Sequence, residues 1–177
     1  MAQNRARGYY EAKGYPKDWI DKRIRGIAIR QNLTGEWKDR GIDENIGYAI
    51  LTNEISQATF GKTVQEYKDL KKLDKENLRD HMGDWELILT MVGEKATTDI
   101  TQKEDSLGFY ECKGSAVKGG EIAGNTRKEL EKSLGKSLIS NENYLGKKER
   151  ENDKLEEESE EEEVVEEEIL VEVKNEK

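Results

Sequence analysis

The chain has 177 residues, a length suited to one domain or to one domain with a tail, since domains most often run to roughly 100–150 residues. Charged residues make up 39% and apolar residues 33%, which excludes a broad apolar interior and confines burial to the faces of amphipathic helices. No stretch approaches the roughly 18 consecutive apolar residues of a membrane helix, and the start Met1-Ala2-Gln3-Asn4-Arg5 lacks an apolar signal segment. With a single cysteine, Cys112, unable to close an internal disulfide, the expectation is a cytoplasmic protein without membrane association.

The net charge of −9 is unevenly spread. Fourteen of the 39 acidic residues fall in Glu151–Lys177 beside three lysines, so that stretch carries −11, while Met1–Arg150 sets 27 basic against 25 acidic residues and carries +2. This contrast predicts a helical domain over residues 1–146 and an acidic, disordered tail over residues 147–177, whose glutamate blocks hold too little apolar surface to offset the entropy of folding.

In chain order, Ala6–Lys13 reads as the end of a helix closed by Gly14. A second helix is expected over Pro16–Leu33, with Pro16 in its first turn and Ile20, Ile24 and Ile27 on one face. Lys22 and Arg25 fall opposite that face, Arg23 and Arg30 on its flanks, and Ile29 lies off the stripe. Glu44–Phe60 carries Tyr48, Leu51, Ile55 and Ala58 at helical spacing and stops at Gly61. Over Arg79–Ile100 the positions Met82, Trp85, Leu89 and Val92 predict the central core helix, widened by Leu87, Ile88 and Met91, with Asp80 as its cap. Gly108, Gly114, Gly119, Gly120 and Gly124 then predict a loop or a closely packed helix, followed by a basic helix around Asn125–Leu130 that Gly135 ends. With no convincing strand, the fold class is all-α: a helical domain followed by the disordered tail.

No catalytic constellation emerges. His81 is the only histidine and has no cysteine nearby, so no metal set is completed. Pairs such as Asp80 with Asp84 arise by chance among 39 acidic residues. Cys112 lacks an activating partner, and the glycines match neither a P-loop nor a dinucleotide fingerprint. Gly120 and Gly124, one turn apart, suit close helix packing instead. Catalytic, cofactor and metal residues are therefore expected to be none, with no small-molecule substrate. Basic residues offer a different candidate. Arg5, Arg7, Lys13, Lys17, Lys22, Arg23, Arg25 and Arg30 outnumber Glu11, Asp18 and Asp21. Weak nucleic-acid contact, as suits a nearly neutral body, is accordingly expected at Arg5, Arg7, Lys22, Arg23, Arg25 and Arg30, with Arg127 and Lys128 added from the later basic helix.

Five stretches in order, Gly14-Tyr15-Pro16-Lys17-Asp18-Trp19-Ile20, Leu33-Thr34-Gly35-Glu36-Trp37-Lys38-Asp39-Arg40-Gly41, Tyr48-Ala49-Ile50-Leu51-Thr52-Asn53-Glu54-Ile55, Glu76-Asn77-Leu78-Arg79-Asp80-His81-Met82 and Ala123-Gly124-Asn125-Thr126-Arg127-Lys128-Glu129-Leu130, resemble one family. It is the region C-terminal to the BRO-N domain in bacterial and prophage BRO-family proteins, of the phage antirepressor or DNA damage-inducible protein D type. The resemblance covers roughly Arg5 to Leu145. It implies a non-enzymatic, DNA-associated regulatory or damage-response role exercised mainly through protein contacts. The DNA-binding BRO-N module is expected to be missing from this chain, and the partner is expected to be a phage or host repressor, a separate BRO-N domain, or a second copy. The alternative is a structural or oligomerisation module whose interface is built around Trp19, Trp37 and Trp85, without nucleic-acid contact.

Overall fold

Helix begins wherever the sequence supplies a stop for the preceding turn and a fresh apolar face. In the computed structural model, which describes residues 2–144, this yields α1 (Ala2–Ala12), α2 (Lys17–Asp39), α3 (Ile46–Phe60), α4 (Val64–Lys71), a 3-10 turn (Leu78–His81), α5 (Asp84–Glu104) and α6 (Gly108–Leu134). No strand occurs among the described residues, and the fold is all-α. The chain divides into Met1–Tyr144 and Leu145–Lys177, so the expected acidic tail, residues 147–177, lies outside the described residues.

The helix ends follow local chemistry. Gly14, Gly61 and Gly135 adopt positive φ after α1, α3 and α6, where a side chain would be strained. α4 opens on a capping box: Glu66 N–H donates to Thr63 Oγ1 at 3.2 Å and Thr63 N–H donates to Glu66 Oε2 at 2.7 Å. α2 runs on to Asp39, past the expected end at Leu33, because Leu33 and Trp37 stand one turn apart on the same face and both are fully buried.

Side-chain pairs fix the direction of each long helix. Lys22 meets Asp84 at 3.1 Å, Arg30 meets Glu94 at 3.2 Å and Gln102 donates to Glu36 at 2.8 Å, so α2 and α5 run the same way. α3 and α6 are likewise parallel, Lys113 meeting Glu54 at 2.9 Å and Arg127 Nε donating to the Thr59 carbonyl at 2.8 Å. Tyr48 and Arg30 reach across to Thr34 and Thr52, making α2 and α3 an antiparallel hairpin. Lys118 paired with Glu104 makes α5 and α6 a second one. Two hairpins therefore pack side by side as a four-helix arrangement, and α4 with the 3-10 turn bridges the end where α3 finishes and α5 starts.

α6 enters this bundle through its glycines. A Cβ on Gly119 would lie 2.5 Å from the Thr97 backbone nitrogen, and one on Gly120 would lie 2.7 Å from Ala58 Cβ and 2.8 Å from the Ile55 carbonyl. Gly124 sits equally tight against the Ala58 carbonyl. The glycine-rich stretch and the basic stretch after it are one continuous helix whose bare backbone lies against α5 and α3.

Two expectations for the core are corrected. The helix expected over Arg79–Ile100 starts at Asp84, with Gly83 as its N-cap, and Asp80 belongs to the preceding 3-10 turn rather than to a cap. Its inward face is Leu89, Gly93, Thr97 and Thr101, because close approach of α6 needs small residues; Trp85 is left 40% exposed. The buried threonines satisfy their hydroxyls one turn back, Thr97 on the Gly93 carbonyl at 2.8 Å and Thr101 on that of Thr97 at 2.7 Å. Burial also bears on the expected tryptophan interface, of which only Trp85 reaches solvent. Trp19 and Trp37 have no exposed surface.

Candidate functional site

Five of the eight basic residues expected on the surface pair with carboxylates of the same chain, and three of them, Arg23, Arg30 and Arg127, do so where both partners are largely buried. Arg23 is buried on the inward face of α2, a correction to its placement on a flank; its Nε donates to Asp80 Oδ1 at 2.8 Å. The same Oδ1 accepts from the Tyr10 hydroxyl at 2.9 Å, and the Asp80 carbonyl accepts from Tyr15 at 2.6 Å. Burial pushes the Tyr10 phenol up to about 12, Arg23 opposing and Asp80 reinforcing the shift. Asp80 and Asp84 take separate partners, one serving Arg23 and the other Lys22. Arg30 points inward as well, donating to Glu94 at 3.2 Å and to Thr52 at 2.7 Å, with its guanidinium 5.2 Å from the Trp37 ring. Burial lowers its affinity for the proton, and Glu94 counters that.

Arg127 is held by the Thr59 carbonyl and by Glu131, Lys22 by Asp18 and Asp84, and Arg7 by Asp21. Arg5, Arg25 and Lys128 remain exposed without a partner among the described residues. These three stand on α1, α2 and α6, so the eight residues do not form one patch made of free cations.

Other candidates are structural. Burial raises the Cys112 thiol above its ordinary range, and its Sγ lies 3.8 Å from the Ser106 carbonyl. Burial lowers the His81 imidazole, with Asp80 and Glu76 opposing. Among the described residues no group of three or more His, Cys, Asp or Glu side chains is placed to hold a metal ion. No helix among them is long and apolar enough to cross a membrane.

Two features have no counterpart in the sequence pattern. The first is a cavity of about 360 Å³ between α3, α4, the 3-10 segment and α5, within the size range of small-molecule sites. Ile55, Phe60, Val64, Leu78 and Met82 supply its apolar wall, and Lys68, Lys75, Arg79, Glu76 and Glu94 its charge. Its hydroxyls are engaged. Thr52, Ser56, Thr59 and Thr90 each donate to a backbone carbonyl, and Glu94 Oε1 accepts from both Arg30 and Arg79. No nucleophile is paired with a base there. Thr52, Ile55, Ser56, Thr59 and Phe60 share one face of α3, but the lining comes from four segments, so no local sequence signal marks the cavity.

The second feature is an exposed apolar strip at the opposite end. Ile46 and Ile50 stand one turn apart on α3 with exposures of 71% and 37%; Leu107 and Tyr110, at the start of α6, have 62% and 87%. The Glu54–Lys113 ion pair lies one turn further along both helices, which sets Ile50 and Tyr110 on the same α3–α6 seam.

Comparison of the chain with protein-family models, with curated proteins and with solved structures gives no match.

Proposed function

We propose that this chain is a non-enzymatic regulatory or damage-response protein of the antirepressor or DNA damage-inducible protein D type, acting mainly through a protein partner. The observation that carries the reading is the strip of Ile46, Ile50, Leu107 and Tyr110, where large apolar side chains meet solvent on both sides of one helix seam. Two further facts support it. Five of the eight basic residues assigned to nucleic acid are spent on carboxylates of the same chain, which favours protein contact over phosphate contact. The five collinear stretches that resemble the post-BRO-N region supply the regulatory class, and with it a DNA-bound BRO-N domain as the partner to try first.

The test is a gel-shift experiment in which the full chain is added to a BRO-N domain already bound to its operator duplex. A slower complex is expected with the unaltered chain and not with the Ile50→Glu/Tyr110→Glu variant. Absence of any slower complex, or an equal shift with the variant, sinks the reading. The same strip would also suit a second copy, so sedimentation of the chain alone decides the alternative: a concentration-dependent dimer that the double variant abolishes replaces the regulator with an oligomerisation module.

A further inference from the structure

We propose that the cavity between α3, α4 and α5 is a binding site for a small amphipathic acid, an apolar chain or ring bearing one anionic group. The inference is independent of the partner reading, since the cavity and the apolar strip lie at opposite ends of the bundle.

Its basis is an imbalance of unspent donors. Lys75 is exposed at the mouth and has no hydrogen-bond or ion-pair partner among the described residues. Lys68 makes one bond, to the Asp74 carbonyl at 3.3 Å, and no ion pair among those residues. Arg79 uses Nη2 on Glu94 at 2.6 Å and leaves its Nε and Nη1 donors without an acceptor among them. Two carboxylates face the same space. Glu94 is already shared by Arg79 and Arg30, and Glu76 accepts from the Asp74 N–H at 2.7 Å. Three cations, Lys68, Lys75 and Arg79, thus line the cavity beside two carboxylates, and one of these, Glu94, is also neutralised by Arg30 from outside the lining. Arg23, Arg127 and Lys71, turned inward elsewhere, each find a carboxylate; here the excess charge opens onto empty space.

The rest of the wall selects the remainder of the ligand. Ile55, Leu78 and Met82 are buried at 4%, 6% and 3% exposure, and with Phe60 and Val64 they present hydrocarbon to the interior. A carboxylate at the Lys68–Lys75–Arg79 rim would gain charge-assisted hydrogen bonds, while its apolar body displaced poorly bonded water from that wall. A wholly polar anion would leave the wall unused, and an uncharged hydrocarbon would leave the cations unpaired. The volume of about 360 Å³ limits the body to a medium-length chain or one ring system.

The experiment uses octanoate as the probe, titrated into the full chain with side-chain methyl resonances followed by NMR and heats by calorimetry. Expected are saturable shifts at Ile55, Leu78 and Met82 and one octanoate bound per chain. 1-Octanol, with the same chain and no charge, is expected to bind roughly tenfold more weakly, as are Lys75→Glu and Lys68→Glu, each losing about one charge-assisted contact. Both lysines lie outside internal ion pairs, so circular dichroism of the variants is expected to be unchanged. Octanoate that leaves the three methyls unmoved, 1-octanol that binds equally well, or lysine variants of undiminished affinity would each overturn the assignment.

Discussion

The ammonium of Lys71 has no exposed surface, and a charge so placed survives only because every neighbour answers it. Its Nζ lies 3.0 Å from Glu86 Oε1 and donates to the Glu142 carbonyl at 2.8 Å, 5.6 Å from the Tyr67 ring centre. Glu86, equally buried, also accepts from the Tyr67 hydroxyl and from the Gly83 N–H at 2.7 Å. Burial and the adjacent carboxylate drive the Tyr67 phenol well above its ordinary range, which keeps its hydroxyl a donor to Glu86 at neutral pH. The pair ties α4 to the start of α5 and to the segment after α6. Lys71→Met leaves Glu86 a buried anion without a counter-charge and is expected to cost about 3–5 kcal/mol in urea unfolding. Adding Glu86→Gln removes the stranded charge and is expected to restore part of that loss. A single variant with unchanged stability would mean that water reaches Glu86.

At the scale of the element, α6 is held by the absence of side chains. Gly119 lies against the backbone of Thr97, which cannot move aside as a flexible side chain can. Gly119→Ala is therefore expected to destabilise by about 1–3 kcal/mol or more through overpacking. Gly114, five residues earlier in the same helix, faces open space: a Cβ there would meet nothing within 4 Å. Gly114→Ala is expected to stabilise by about 0.5–1 kcal/mol, the ordinary helix preference for alanine. Thermal denaturation of the two variants separates packing from propensity: a shift of the same sign in both would contradict the close α5–α6 approach.

For the whole molecule the question is how charge is distributed after folding. Residues 1–150 carry +2 and the complete chain −9, and five of the eight candidate cations are paired with carboxylates of the same chain. Affinity for duplex DNA grows with the number of phosphates neutralised, so few free cations mean weak binding and a shallow salt dependence. In fluorescence anisotropy the full chain alone is expected to bind a duplex no more tightly than about 10⁻⁴ M at physiological salt. Micromolar binding that falls steeply with salt and is lost in Arg25→Glu would instead make the exposed face of α2 a phosphate-contacting surface.

The long helices were legible because apolar spacing and glycine stops are local, and Gly14, Gly61 and Gly135 end helices where the pattern places them, whereas the two-turn α4 was not expected, being too short for the apolar period to show. The same local reading, applied to Arg23, Arg30 and Trp85, mistook which face turns inward, since that depends on what each helix packs against. Glu94, reached by Arg30 from α2 and by Arg79 from the 3-10 turn, draws two cations in across 64 and 15 residues of sequence. By itself the sequence determined an all-α chain, its helix stops and its uneven charge, because period, backbone freedom and composition act within a few residues. Only the tertiary structure decided which cations are spent, where the cavity opens and which apolar residues stay outside, because burial and pairing are set between segments that meet only in the fold.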